Sequence, residues 1–148
     1  MTADANATEH KPPLDPNSGD WFLGSLVNAA NANDTEIGIT LLTGGFLVSG
    51  LLVGGAKYFE ACGQDFDDAF PADQDSKESL RQVFSVSGEI YKQDETTTLA
   101  PPGYIHLKQA RFYSTNGMPI PGNRVVWWRG RLTEISGFSP GSLNAAQS

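Results

Sequence analysis

The stretch IGITLLTGGFLVSGLLV, Ile37 to Val53, constrains this chain more than any other. It is the most apolar segment, yet it is slightly short of the roughly 20 apolar residues of a membrane helix, and Gly38, Gly44, Gly45 and Gly50 interrupt it. Gly44-Gly45 divides it into two β-rich runs, IGITLLT and FLVSGLLV. A Gly pair tolerates the positive φ angles of a two-residue turn, so the segment is expected to be a tight hairpin, with Gly50 a bulge or bend. A membrane-spanning role is therefore not expected.

The remaining elements arrange themselves around that hairpin. Residues 1 to 18, rich in Ala, Asn, Pro and Asp with almost nothing to bury, read as a disordered leader. In WFLGSLVNAANAN the residues Trp21, Phe22, Leu23, Leu26, Val27 and Ala30 fall at helical spacing, with Asp20 or Ser18 as N-cap. After the hairpin and Ala56-Lys57-Tyr58-Phe59-Glu60 comes an acidic insert, residues 63 to 101. Its nine acids against three bases hold six of the seven net negative charges. Leu80, Val83 and Phe84 are expected to dock part of it as a helix, and DETTTLAPPG to be a loop. YIHLKQARFYS, RVVWW and, after a bend at Gly130, RLTEIS supply three more strands. The expected fold is mainly β within the α+β class: an N-terminal helix, then a small bent antiparallel five-stranded sheet or barrel, with the acidic insert between strands two and three. One domain, residues 19 to 138, precedes an irregular tail, 139 to 148.

Trp127 and Trp128 stand side by side in VVWWRGRLTEI. Successive strand side chains point to opposite faces, so a one-sided core takes only one of these indoles. Trp128, before Arg129-Gly130, is expected in the core by resemblance to the Sm-like strand pattern, in which a core hydrophobe precedes Arg-Gly. Trp127 is then either covered by the helix and the insert, or it is an anchor at a subunit or partner contact, with Arg129 beside it; Trp and Arg dominate interface hot spots.

Familiar chemistry is missing. A net charge of −7 repels nucleic acid and anionic membrane. His10, His106 and the single Cys62 cannot assemble a zinc set, and His106 reads as a structural histidine. The glycine-rich hairpin lacks the Lys-Ser/Thr ending of a phosphate loop. DFDDAFPADQDSKE has Phe70, then Pro71, where a calcium loop turns on glycine. Ser49, Ser114 and Thr115 sit in no nucleophile motif. No catalytic residue, cofactor or metal is expected. The first residues have neither a basic n-region nor an apolar h-region, and the lone cysteine suits a reducing compartment, so a cytoplasmic location is expected.

The order of the helix, ITLLTGGFLVSGLLV, YIHLKQARFYS and VVWWRGRLTEI resembles the Sm-like architecture, in which a hydrophobic-Arg-Gly motif, here Trp128-Arg129-Gly130, joins the last two strands. That resemblance leaves an RNA-binding protein as the alternative function. The low Lys and Arg content and the lack of an Asp-x-x-x-Asn pattern near AKYFEA weigh against it. From about Trp21 onward the chain more closely resembles the gas vesicle accessory protein family GvpU. The residues that carry this are GFLVSGLLVGGAKYFE (Gly45 to Glu60), YIHLKQARFY (Tyr104 to Tyr113) and WRGRLTEISGFSPGSL (Trp128 to Leu143). The resemblance implies a cytoplasmic, non-enzymatic protein that associates with the gas vesicle shell or other gas vesicle proteins and influences their assembly or clustering. It transfers no catalytic residue. Self-association and a contact through Trp127 and Arg129 are the expectations that follow, because clustering needs more than one contact per particle.

Overall fold

The computed structural model describes residues 19–69, 74–92, 102–120 and 124–143. The leader with His10, the Phe70-Pro71 pair, most of the DETTTLAPPG loop and the last five residues of the tail lie outside these. The elements are α1 (Trp21–Asn33), β1 (Ile37–Thr43), β2 (Phe46–Val53), α2 (Gly55–Ala69), α3 (Gln74–Glu89), β3 (Tyr104–Tyr113), β4 (Val126–Arg131), a 3-10 turn (Leu132–Glu134) and β5 (Ile135–Pro140). The strands form one five-stranded antiparallel sheet in the order β4-β3-β2-β1-β5.

Local chemistry explains the first half of the chain. Asp20 caps α1, its carboxylate accepting from the backbone N–H of Phe22 (2.9 Å) and Leu23 (3.3 Å). The hairpin forms where Gly44 and Gly45 adopt φ of +59° and +86°, pairing Thr43 with Phe46 across a two-residue turn. Leu23, Val27 and Ala30 of α1 bury against Ile39 and Leu41 of β1, Val48 and Leu52 of β2, and Ile105 and Leu107 of β3.

The strand order forces the sheet to curl. β4 and β5 are its two outer strands, which in a flat sheet lie about 19 Å apart, at four spacings of about 4.8 Å. Only Leu132–Glu134 connects them, and a 3-10 turn of that length advances about 6 to 8 Å. The sheet must therefore bend around its α1 side until the two edges approach, without pairing. Part of the bend is built at Gly50, where the β2–β3 register shifts between Ser49 and Leu51 and a Cβ would lie 2.8 Å from the Lys108 carbonyl oxygen. Gln109, at φ +54°, occupies the matching irregularity of β3.

Two expectations about the last strands are corrected here. The bend is not at Gly130, which lies inside β4; it falls at Leu132–Glu134, because Leu132 turns inward to the core at 6% exposure. β5 runs to Pro140, so Ser139 and Pro140 are strand rather than irregular tail, held by pairing with Thr40 and Ile39.

Between β2 and β3 the described residues form a helical hairpin. α2 begins at Gly55, ahead of the expected insert, and carries Asp65, Asp67 and Asp68 in its last turns. Acids at a helix C-terminus oppose the helix dipole. Packing overrides that preference. Gly63 admits the Phe84 side chain and Gly88 admits Phe59, each 3.5 Å from where a Cβ would stand. Phe66 meets Phe84 at 5.0 Å between ring centres, and Arg81 bridges to Asp67 at 2.8 Å. Of Leu80, Val83 and Phe84, only Phe84 docks; Leu80 and Val83 are exposed.

Candidate functional site

The two faces of β4 have different surroundings. Trp128 pairs with Leu107 and packs against the α1-side core, the place the Sm-like strand pattern implies for it. Its indole folds across Gly130, where a Cβ would fall 2.3 Å from the ring, so the Trp-x-Gly spacing is a packing requirement. Trp127 and Arg129 point to the other face, which α2 partly covers.

On that face Arg129 and His106 form the centre of an aromatic cage. β3 and β4 pair His106 with Arg129, and the Arg129 Nη1 donates to His106 Nε2 at 2.9 Å and to the Tyr91 hydroxyl at 3.0 Å. The guanidinium lies 3.7 Å above the Tyr104 ring and 5.3 Å from the centre of Phe59, within cation–π range of both. Tyr58 and Tyr91 pack on His106 at 4.8 and 5.1 Å. Gly55 supports this arrangement: the Tyr91 ring occupies the place a Cβ would take, 2.4 Å away.

This environment fixes the protonation of the histidine. Burial and, secondarily, the adjacent Arg129 charge push the His106 pKa down to about 3, so the ring is neutral at physiological pH. A guanidinium only donates, so Nε2 accepts and the ring proton sits on Nδ1. His106 is thus a structural acceptor that holds Arg129 in place. Nearby, burial pushes the Tyr58 hydroxyl up to about 12 and raises the Cys62 thiol, which keeps both protonated. A protonated thiol is a poor nucleophile, so Cys62 fits a packing role. Among the described residues no group of three His, Cys, Asp or Glu is placed to hold a metal ion.

Trp127 lies at the margin of the cage. It is partly buried, meeting Tyr58 edge-on at 6.3 Å. It also lines a groove of about 510 Å³ between α2 and the outer strand β4, formed by Cys62, Asp65 and Phe66 on the helix, Val126 and Trp127 on the strand, and Arg124 and Val125 just before it. Cover from the N-terminal helix and the insert is one of the two expectations for this indole; α2, which begins ahead of the insert, is what lies over it, and the groove leaves part of it accessible. Arg129 is also part-exposed. Among the described residues Lys57, Arg81, Lys92 and Lys108 form ion pairs, whereas Arg111, Arg124, Arg129 and Arg131 of the β3–β4 region form none. The structure thus brings Trp127 and Arg129 to one face in separate surroundings. Sequence reading missed the cage, although the alternation of Tyr104 and His106 along β3 was the available signal.

No helix among the described residues is long and apolar enough to cross a membrane. A family model described as gas vesicle protein GvpU-like matches residues 20–143. No curated protein and no solved structure gives a significant match, so the Sm-like resemblance gains no support from these comparisons.

Proposed function

Because the chain belongs to the GvpU-like family of gas vesicle proteins, we propose that it is a cytoplasmic, non-enzymatic accessory protein that associates with gas vesicles and influences their assembly or clustering. The observation that carries this reading is the extent of the family match, residues 20–143, which spans every element from α1 to β5. The proposed contact is the β4 margin, with Trp127 as the apolar anchor and Arg129 beside it, facing the vesicle shell or another gas vesicle protein. Three features support that choice: the groove beside Trp127, the outer position of β4 in the sheet, and arginines that no described carboxylate neutralises. A part-exposed indole in a groove has apolar area to give up on binding, and an arginine without an ion pair gains most from an acceptor on a partner.

Co-flotation of the purified chain with purified gas vesicles tests the reading. The wild-type chain should float with vesicles, and Trp127→Ala should remain in the subnatant. A wild-type chain that never floats with vesicles, at any salt concentration, would refute the proposal.

A further inference from the structure

α3 carries a face that no other described element covers. Leu80, Val83, Val86 and Ile90, the last in the turn that follows the helix, are exposed at 37, 60, 60 and 73%. At 100° per residue they lie within about one third of the helix circumference, together with the small Ser79 and Ser87. The acids Asp75, Glu78 and Glu89 fall outside that sector, and Arg81 is turned to Asp67 of α2. An uncharged apolar stripe exposed on an acidic insert has apolar area to give up on association. Apolar residues in a helix at positions 80, 83 and 90, with a serine at 87, follow the three-four spacing of a helix-pairing seam.

We propose that this face pairs with the same face of a second copy, the two α3 helices crossing antiparallel about a twofold axis near Ser85. The seam is complementary to itself in that register. Leu80 meets Ile90 of the partner subunit, Val83 meets the small Ser87 of the partner subunit, and Val86 lies next to its own counterpart across the axis. Charge selects a second copy over other occupants. Each chain carries a net −7, and an approach of two copies on a face from which acids are absent avoids their mutual repulsion. Across helices about 8 to 10 Å apart, the acidic sides point away from each other, and their separation exceeds the Debye length of about 8 Å at physiological salt. A basic partner would be drawn instead to the side bearing Glu78 and Glu89.

The four side chains offer roughly 400 Å² per copy, about half of what a standard stable interface buries on each partner, so the pairing is weak and reversible. A dissociation constant between about 10 μM and 1 mM is expected. The resulting dimer has two β4 margins, which makes it bivalent.

Sedimentation velocity of the full chain, from about 5 μM to about 1 mM, should show a monomer–dimer equilibrium. Val83→Glu/Val86→Glu should raise the dissociation constant at least about 100-fold, and because both sites are exposed the circular dichroism spectrum and melting curve should not change. In a Cys62→Ser background, Val86→Cys should form a disulfide-linked dimer under mild oxidation, whereas Gln82→Cys, on the polar side, should not. A chain that stays monomeric throughout, an association unaffected by the two glutamates, or equal cross-linking at position 82 would each overturn the proposal. The assay contains no vesicles, so its failure is distinguishable from a failure of vesicle binding.

Discussion

The Trp128 indole lies directly over Gly130, two residues along the same strand, with 2.3 Å between its ring and the place a Cβ would stand. The ring is also packed against the α1-side core through its pairing with Leu107, so it cannot swing aside without giving up that contact. Gly130→Ala is therefore expected to destabilise the fold by about 1 to 3 kcal/mol, the usual cost of overpacking. In urea unfolding the double change Trp128→Leu/Gly130→Ala should cost less than the sum of the two singles, because the smaller side chain vacates the space the methyl needs.

His106 makes stability depend on pH. Its folded-state pKa, about 3, lies below the ordinary value of 6.5, so the folded chain binds fewer protons than the unfolded chain between these limits. Stability is fully present above about pH 6.5, falls as pH drops below it, and stops falling for this reason below about 3. At pH 5 the loss should be about 2 kcal/mol, at 1.36 kcal/mol per pH unit. His106→Gln keeps an acceptor for Arg129 without a titrating ring, so its stability should stay flat between pH 7 and 5. The Glu36 carboxyl, held below its usual range by hydrogen bonds from Lys57 and Lys108, loses its contribution only at lower pH.

Gln109 is exposed and holds a left-handed φ of +54° at the β3 irregularity. Glycine reaches that conformation without the steric penalty of a Cβ. Gln109→Gly should stabilise the chain by about 0.5 to 1 kcal/mol in urea unfolding.

Association should respond to salt in the direction set by the net charge of −7. Screening relieves repulsion between like-charged copies, so light scattering of chain and vesicles should rise with salt if apolar contacts supply the attraction. Trp127→Ala should lower that scattering while the chain stays folded, since the indole is only part-buried. Clusters that dissolve in moderate salt would show that opposite charges, those of Arg124 and Arg131 among them, supply the attraction instead.

Much of the sheet was legible because its signals are local. Gly44-Gly45 marks a turn by φ alone, Asp20 marks a helix start by its side chain, and the alternation at Trp127-Trp128 separates the two faces. A helix at Leu80 to Phe84 is expected from the sequence and forms as part of α3, but its pairing with α2 was not legible, since it rests on glycine–aromatic contacts between helices, which no local propensity reports. The Arg129–His106 contact spans 23 positions and exists only once β3 and β4 are in register. For the same reason the 3-10 turn hid behind Gly130: the inward pull on Leu132 is a property of the finished core.

The curl that brings the sheet's two edges together also sets the order in which the chain can fold. β1 can zip onto β2 as soon as both exist, but its other edge waits for β5, and the Thr40 hydroxyl waits for the Gly141 carbonyl 101 positions later. During synthesis at about 5 to 20 residues per second, β1 stays open on one side for several seconds or more. A nascent chain therefore carries an unpaired strand edge, Ile39 to Thr43, through most of its translation, and late-arriving β5 is the segment that ends that exposure.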